Sequence, residues 1–497
     1  MSRRTQRRAG ASSKLTSIPM AAWLCALVAF LSAASWSLIT PAFQVPDEQA
    51  HFAYVEELAR THRLPSSSTQ EYAPDEVFAL EGVEAPRVSL QPEQQPISSE
   101  AGQKRLESDL ASGAESSSPG IGAAGVAASE PPLYYALETI PYELGASGSV
   151  LDQLTLMRLL SALLAGASAL FVFLFLREAL PSSPNAWTIA GLSAALLPLL
   201  GFISGAVNPD SLLCAVAASI FYCLARAFRR GLTLRLAVLI GALTAAGFLT
   251  KLGFLGLAPG VFLGLVLLAK RSAPAVGTRS AIRTLTLALA IASSPVWVYA
   301  IVNVISHHKP LGITSGVITA TASHHSLISE ASFIWQLYLP RLPGMHVDFA
   351  DISPIRELWF NGLVGQYGFE DTSFPRWVDN IAVIPVLAIV VLAARDLFAH
   401  RPTLRQRIGE LSVYLTMTLG LLMLIGASSY LSFPSQAAGF PEPRYLLPLL
   451  PLFGGVIALA ARGAGRRWGA AAGALIVVLF IAHDLFSQLQ EIARFYG

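Results

Sequence analysis

Residues 155–177 read TLMRLLSALLAGASALFVFLFLR, an almost unbroken apolar run. A helix of about 20 such residues crosses a hydrocarbon core of roughly 30 Å. Inside lipid each backbone amide must be satisfied within its own segment, which selects a helix. Ten similar runs lie near 20–39, 187–206, 209–227, 234–250, 253–269, 282–304, 378–396, 410–431, 443–461 and 468–487. The pattern predicts an all-α integral membrane protein with about eleven transmembrane helices.

Composition points the same way. Of the 497 residues, 53% are hydrophobic and 13% charged, against roughly a quarter charged in soluble chains. A net charge of +2 and the lack of any RNA- or DNA-binding motif leave no case for a nucleic-acid partner. Cys25, Cys214 and Cys223 all fall inside predicted spans, so they read as small buried hydrophobes rather than a disulfide framework or thiolate metal site.

Lys and Arg set the expected orientation, because cytoplasmic loops collect them. With Arg3, Arg4, Arg7, Arg8 and Lys14 of residues 1–19 placed in the cytoplasm, the alternate short loops carry the other arginine clusters. These include Arg226, Arg229 and Arg230, then Lys270 and Arg271, then Arg401, Arg405 and Arg407, then Arg462, Arg466 and Arg467. The first run is longer than a signal-peptide core, which favours an uncleaved anchor. The prediction is a multi-pass plasma-membrane protein with its C-terminus, residues 488–497, outside. Two long loops, 40–154 and 305–377, are then external. Within the first, residues 66–130 are rich in Ser, Glu, Ala, Pro and Gly and poor in aromatics, and predict a mobile insertion. No inverted repeat of the transporter kind is visible, which disfavours a secondary carrier.

The residues with chemistry to offer gather on the external side. Pro46-Asp47-Glu48-Gln49-Ala50-His51 follows the first span, and Phe52, Val55, Leu58 and Ala59 continue it as an amphipathic helix on the membrane surface. Asp47 and His51, four apart, share a face. A carboxylate there has the chemistry to take a proton from a hydroxyl, with His51 orienting it or a substrate phosphate; an ordinary helix cap is the alternative. Glu130-Pro131-Pro132-Leu133-Tyr134-Tyr135 offers a stiff turn with paired aromatics, either a sugar platform or an interfacial turn. Asp210 in Asn208-Pro209-Asp210 is an acid or a cap. Lys251, alone in a tight external turn, is a phosphate ligand or a snorkelling side chain. Arg444, in the stretch 442–451 EPRYLLPLLP, brings a forked donor matched to phosphate, or else a structural salt bridge. The pairs His307-His308 and His324-His325, with His346, do not form a recognisable metal-ligand set.

Taken in order, these motifs resemble the GT-C superfamily of polyprenyl-phosphate-sugar-dependent glycosyltransferases. They look closest to a bacterial family of multi-spanning proteins catalogued as a domain of unknown function. The likeness covers roughly residues 20–460 and is most specific in QVPDEQAHF (44–52) and PRYLLPLLP (443–451). It implies transfer of a sugar from a polyprenyl-phosphate donor to a cell-envelope glycan or glycolipid at the outer face. Asp47 would be the catalytic base and Lys251 and Arg444 the donor-phosphate ligands. Glu48, His51, Glu130, Tyr134, Tyr135 and Asp210 would line the acceptor cavity. Some relatives use a divalent metal beside the acids and others do not, so the resemblance leaves a metal open, along with sugar, acceptor and oligomeric state. The chain departs from the pattern at Glu130, where relatives often carry His, and at Pro443, where Gly is common. A carrier or flippase of lipid-linked saccharides and an inactive scaffold on the same fold remain the alternatives.

Overall fold

The computed structural model describes residues 18–65, 71–89, 91, 94, 100–113, 115–116, 124–305, 326–350, 352–368, 371–432 and 441–497. The basic N-terminal residues and His307, His308, His324 and His325 lie outside these. Every predicted span falls on helix. Nine helices are long and apolar enough to cross a membrane among the described residues, and ten if the bent pair Pro184–Ala195 and Pro198–Ser204 is one span. The remaining predicted span is the Leu234–Thr250 helix, apolar but one turn shorter than most. Among the described residues strand is confined to a two-residue ladder, Gln366–Tyr367 antiparallel to Thr372–Ser373. The chain is thus an all-α, multi-pass membrane protein.

Burial sorts the helices into inner and outer positions. The Asp210–Arg230 helix has 89% of its apolar window inside the protein, and Val150–Ala179 has 61%. Arg376–Ala399 and Gly465–Tyr496 keep only 11% and 17% inside. Their outward Ile384, Val391 and Phe486 would expose a large apolar surface to water, which lipid tails relieve.

Two breaks in the helices set up the site. Pro198 cannot extend the helix before it, so the chain bends by 51° and restarts as Pro198–Ser204. That short helix packs tightly on the first span: a Cβ at Gly205 would come within 2.8 Å of the Ala33 oxygen and the Ser37 nitrogen. From there the chain passes directly through Asn208 to Asp210. The second break is a 3₁₀ turn, Pro443–Leu449, which opens the late span and carries Arg444.

Several sequence expectations are revised. The Glu48–Thr61 helix does not lie half-exposed on a membrane surface; Ala50 through Glu56 are all buried. It is covered by the Leu133–Leu144 helix, against which Phe52 sets its ring edge-to-face on Tyr142. The segment predicted as a mobile insertion contains the helices Pro74–Gly82, Ala85–Val88 and Glu100–Ala111. Its few apolar residues, Val77, Leu80, Val88 and Leu110, are buried against the rest of the protein, a core that composition of the segment alone does not reveal. The last helix does not stop near 487 but runs to Tyr496, where Arg494 donates to the carbonyls of Val88 and Gln91 and to Asp371.

Glu76 is fully buried within the Pro74–Gly82 helix. Burial, aided by the negative charges of Glu56 and Asp75, pushes its carboxyl well above the usual range. Its folded value exceeds its unfolded one, so its contribution to stability is greatest in acid and declines as pH rises above about 4.3. Wild-type protein should therefore melt lower at pH 8 than at pH 5, and Glu76→Gln should narrow that gap. An unchanged gap in thermal unfolding would show that Glu76 titrates normally.

Candidate active site

Five segments far apart in sequence converge at one end of the helices. Arg444 Nη2 lies 2.8 Å from Asp47 Oδ2 and 2.7 Å from Glu442 Oε1. Its Nε sits 4.0 Å from Asp210 Oδ2. Lys251 Nζ reaches the other oxygen of Asp210 at 2.8 Å. Tyr445 lies beneath both cations, with Lys251 Nζ and the Arg444 guanidinium carbon each 5.5 Å from its ring centre. Glu130 Oε2 accepts the Leu252 amide at 3.3 Å, which sets a further acid beside Lys251.

Local backbone explains how Asp47 reaches this cluster. It precedes the Glu48–Thr61 helix in a left-handed conformation, φ 66° and ψ 2°, and its side chain makes no cap bond. Phe43, four residues earlier, is also left-handed at φ 61°. Such angles are strained for a bulky residue and persist only where the surroundings hold them. The turn aims Asp47 and Glu48 in different directions. Asp47 keeps 36% of its side-chain surface open, against 22% for Glu442, 15% for Lys251, 3% for Arg444 and 2% for Asp210. It is the most accessible of these five side chains.

Glu48 goes into the interior. Its Oε1 accepts Arg158 Nε at 2.8 Å and the Val207 amide at 3.1 Å; its Oε2 accepts Arg158 Nη2 at 2.6 Å and the Phe43 amide at 3.0 Å. All four acceptor positions are filled, so Glu48 is a strut and not the expected cavity-lining residue. Tyr134 and Tyr135 are likewise fully buried rather than open platforms. Tyr135 stacks on Tyr54 with ring centres 3.7 Å apart and meets His51 Nδ1 at 2.9 Å through its hydroxyl. Tyr134 is tied to Ser161. These rings support the site from behind.

The electrostatics follow from burial and neighbours. Burial alone would raise the Asp47 carboxyl, but the opposing charges, Arg444 foremost, prevail and hold it below the ordinary carboxylate range. Burial pushes the His51 imidazole down to about 3, which leaves it neutral. Burial lifts Glu130 and Glu442 more than their cations lower them. Lys251 would be lowered by burial, but Asp210 and Glu130 lift it and keep it charged.

Asp47, Lys251, Arg444, Asp210 and Glu130 are thus brought together. His51 stands near but is hydrogen-bonded to Tyr135, and the His346 ring pairs with Asp348 rather than with any of these groups. Glu442, Tyr445 and Arg158 were not foreseen. Arg158 had a signal, since a charge inside an apolar span is costly unless partnered; Glu442 had only its place two residues before Arg444. The acids surround the chain's own cations, and no group of three or more His, Cys, Asp or Glu among the described residues is disposed to hold a metal ion. The arrangement fits an anion-binding pair of cations with an accessible carboxylate.

At the opposite end of the same helices stands a different charge set. Glu178 is ringed by Arg226, Arg229 and Arg230, and Arg407 pairs with Glu410. Asp210 begins the very helix that Arg230 ends.

Comparison with known proteins places the chain. No curated protein sequence matches it. Among solved structures it is similar to ArnT from Cupriavidus metallidurans in the apo state, at 12% identity and a TM-score of 0.40, covering 91% of this chain and 60% of that one. It is also similar to the Archaeoglobus fulgidus oligosaccharyltransferase tethered to an acceptor peptide, at 12% identity and a TM-score of 0.44, covering 96% of this chain and 55% of that one. The chain therefore spans a little over half the length of these proteins. A family model described as "Predicted membrane protein (DUF2142)" matches residues 30–453, and the chain belongs to that family.

Proposed function

We propose that the protein is a membrane glycosyltransferase that moves a sugar from a polyprenyl-phosphate donor to a cell-envelope acceptor. The observation that carries this reading is the convergence of Asp47, Asp210, Lys251 and Arg444, with Asp47 and Arg444 paired across 397 positions of sequence. Two charged donors beside one accessible carboxylate suit displacement at an anomeric carbon. The ordered motifs that resemble GT-C enzymes support the same class. The arginine clusters at the far end support an outward-facing site in the plasma membrane, with the N-terminus cytoplasmic.

In this reaction the acceptor hydroxyl oxygen attacks the anomeric carbon and passes its proton to Asp47. The bond from that carbon to the phosphate oxygen breaks, and its electron pair leaves with the lipid phosphate. Lys251 and Arg444 stabilise the charge as it develops. Attack opposite the leaving group inverts the anomeric centre. The Asp47 carboxylate, held ionised by Arg444, is ready to accept a proton at neutral pH.

Purified protein in lipid nanodiscs, given labelled polyprenyl-phosphate hexoses and envelope glycolipid, should transfer label. Lys251→Met should lower kcat/KM for the donor by about 10–100-fold, the scale of a lost charged hydrogen bond. Failure to bind or use any polyprenyl-phosphate sugar would end the proposal, and an unchanged kcat/KM would remove Lys251 from it.

A further inference from the structure

The resting site is crowded with negative charge. Arg444 Nη2 has two N–H bonds and both are spent, one on Asp47 and one on Glu442. Four carboxyl groups, Asp47, Glu130, Asp210 and Glu442, face two cations, Lys251 and Arg444. If all were ionised, the cluster would be net negative before a phosphate arrived. An anionic headgroup entering a partly dehydrated site with surplus negative charge is repelled. Either a carboxyl must leave Arg444 or the site must take up a proton.

Glu442 is placed to do both. A small cavity lies directly against it, lined by Pro46, Phe202, Ile203, Gln366 and Arg444. Glu442 touches Arg444 through one oxygen only, and precedes the 3₁₀ turn as an extended residue rather than as part of a helix. The other acids are less free. Asp210 is closed in by Lys251, Glu130 holds the Leu252 amide, and Asp47 is needed ionised. Arg444 Nε, buried and without a hydrogen-bond partner among the described residues, is an additional donor.

Resting on the glycosyltransferase reading, we infer that Glu442 is an internal stand-in for the donor phosphate on Arg444, displaced by that phosphate with uptake of one proton. Glu442 is then a positioning residue that acts through Arg444. Burial already raises its carboxyl, against the pull of Arg444 and Lys251 and with the push of Asp47 and Asp210, while Tyr445 faces it uncharged. The neutral acid needs no cation, so proton uptake releases Arg444 without leaving a bare charge behind. Linkage fixes the sign: donor affinity falls as pH rises, by up to about tenfold per pH unit once Glu442 is ionised in the free protein.

The test measures binding of a long-chain polyprenyl monophosphate to the full-length protein in nanodiscs from pH 5 to 9, beside Glu442→Gln and Glu442→Asp. Wild type and Glu442→Asp should lose affinity with rising pH, whereas Glu442→Gln should bind more tightly than wild type at pH 8–9 and show a flattened profile. A residue that merely braced Arg444 would bind more weakly when replaced, so weaker binding by Glu442→Gln, or an unaltered slope, overturns the inference alone. Absence of binding by wild type at every pH overturns it together with the glycosyltransferase reading.

Discussion

Asp47→Asn is expected to lower sugar-transfer turnover by a factor of about 10²–10⁴, the range general-base catalysis supplies, while leaving the fold intact. Asparagine has the same shape and its amide oxygen still accepts a hydrogen bond from Arg444 Nη2, so the ion pair becomes a neutral-acceptor bond and the turn survives. What disappears is the proton acceptor. The neighbouring acids are not placed to replace it: Glu48 has all four acceptor positions filled, Asp210 is 2% exposed and bound to Lys251, Glu130 holds the Leu252 amide, and Glu442 is the group inferred to take up a proton as the donor binds. Donor binding should persist, because one negative charge has left the cations. The readout is therefore a loss in kcat with little change in lipid-phosphate affinity or melting temperature. Retention of more than half the wild-type turnover by a stable variant would remove Asp47 as base.

The pH profile offers a second check on the same residue. As the proposed base Asp47 would act only when ionised, and Arg444 holds its carboxyl below the ordinary range. The acid limb of kcat/KM should then fall below the normal aspartate value of about 3.9. His51, pushed down to about 3, adds no limb between pH 5 and 8. Replacement of Arg444 by a neutral residue would move the acid limb up.

Hydropathy made the helices legible because membrane burial acts on each segment separately. A run such as 155–177 carries its own evidence, and needs no partner to be read. The site was legible in part for a related reason. Lys251 and Arg444 stand out as charges at helix ends, and Asp210 opens a span. What one-dimensional pattern does not contain is the direction in which adjacent residues point. Asp47 and Glu48 are chemically alike and neighbours, yet the left-handed backbone at Asp47 sends one to the site and the other to Arg158, 110 positions away. The aromatic pair Tyr134 and Tyr135 suggested an open surface for the same reason: sequence gives the ring but not what covers it. The segment after residue 70 is the converse case, where a few apolar side chains gain order from a core built elsewhere in the chain.

Arg158 carries the largest expected stability effect. Its guanidinium is 5% exposed and meets a carboxylate that is fully buried. Besides Glu48 it donates to the carbonyls of Ser37, Thr40 and Pro41, groups that the end of the Met20–Ile39 helix leaves without intrahelical partners. Arg158→Met should cost about 3–5 kcal/mol, because it strands a buried carboxylate rather than merely deleting a bond. Glu48→Gln in the Arg158→Met background should recover part of that loss by removing the stranded charge. Recovery will be incomplete, since a glutamine oxygen cannot accept from both the Phe43 and Val207 amides as the two carboxylate oxygens do. Under the proposed reaction the Phe43 bond matters to turnover as well, because the same turn aims Asp47. Arg158→Met should therefore lose stability and turnover together, whereas Asp47→Asn loses turnover alone. Thermal unfolding and transfer assays on the two variants and the double mutant separate these cases. Wild-type stability in Arg158→Met would mean that the Glu48 pair does not hold the turn on which the proposed base stands.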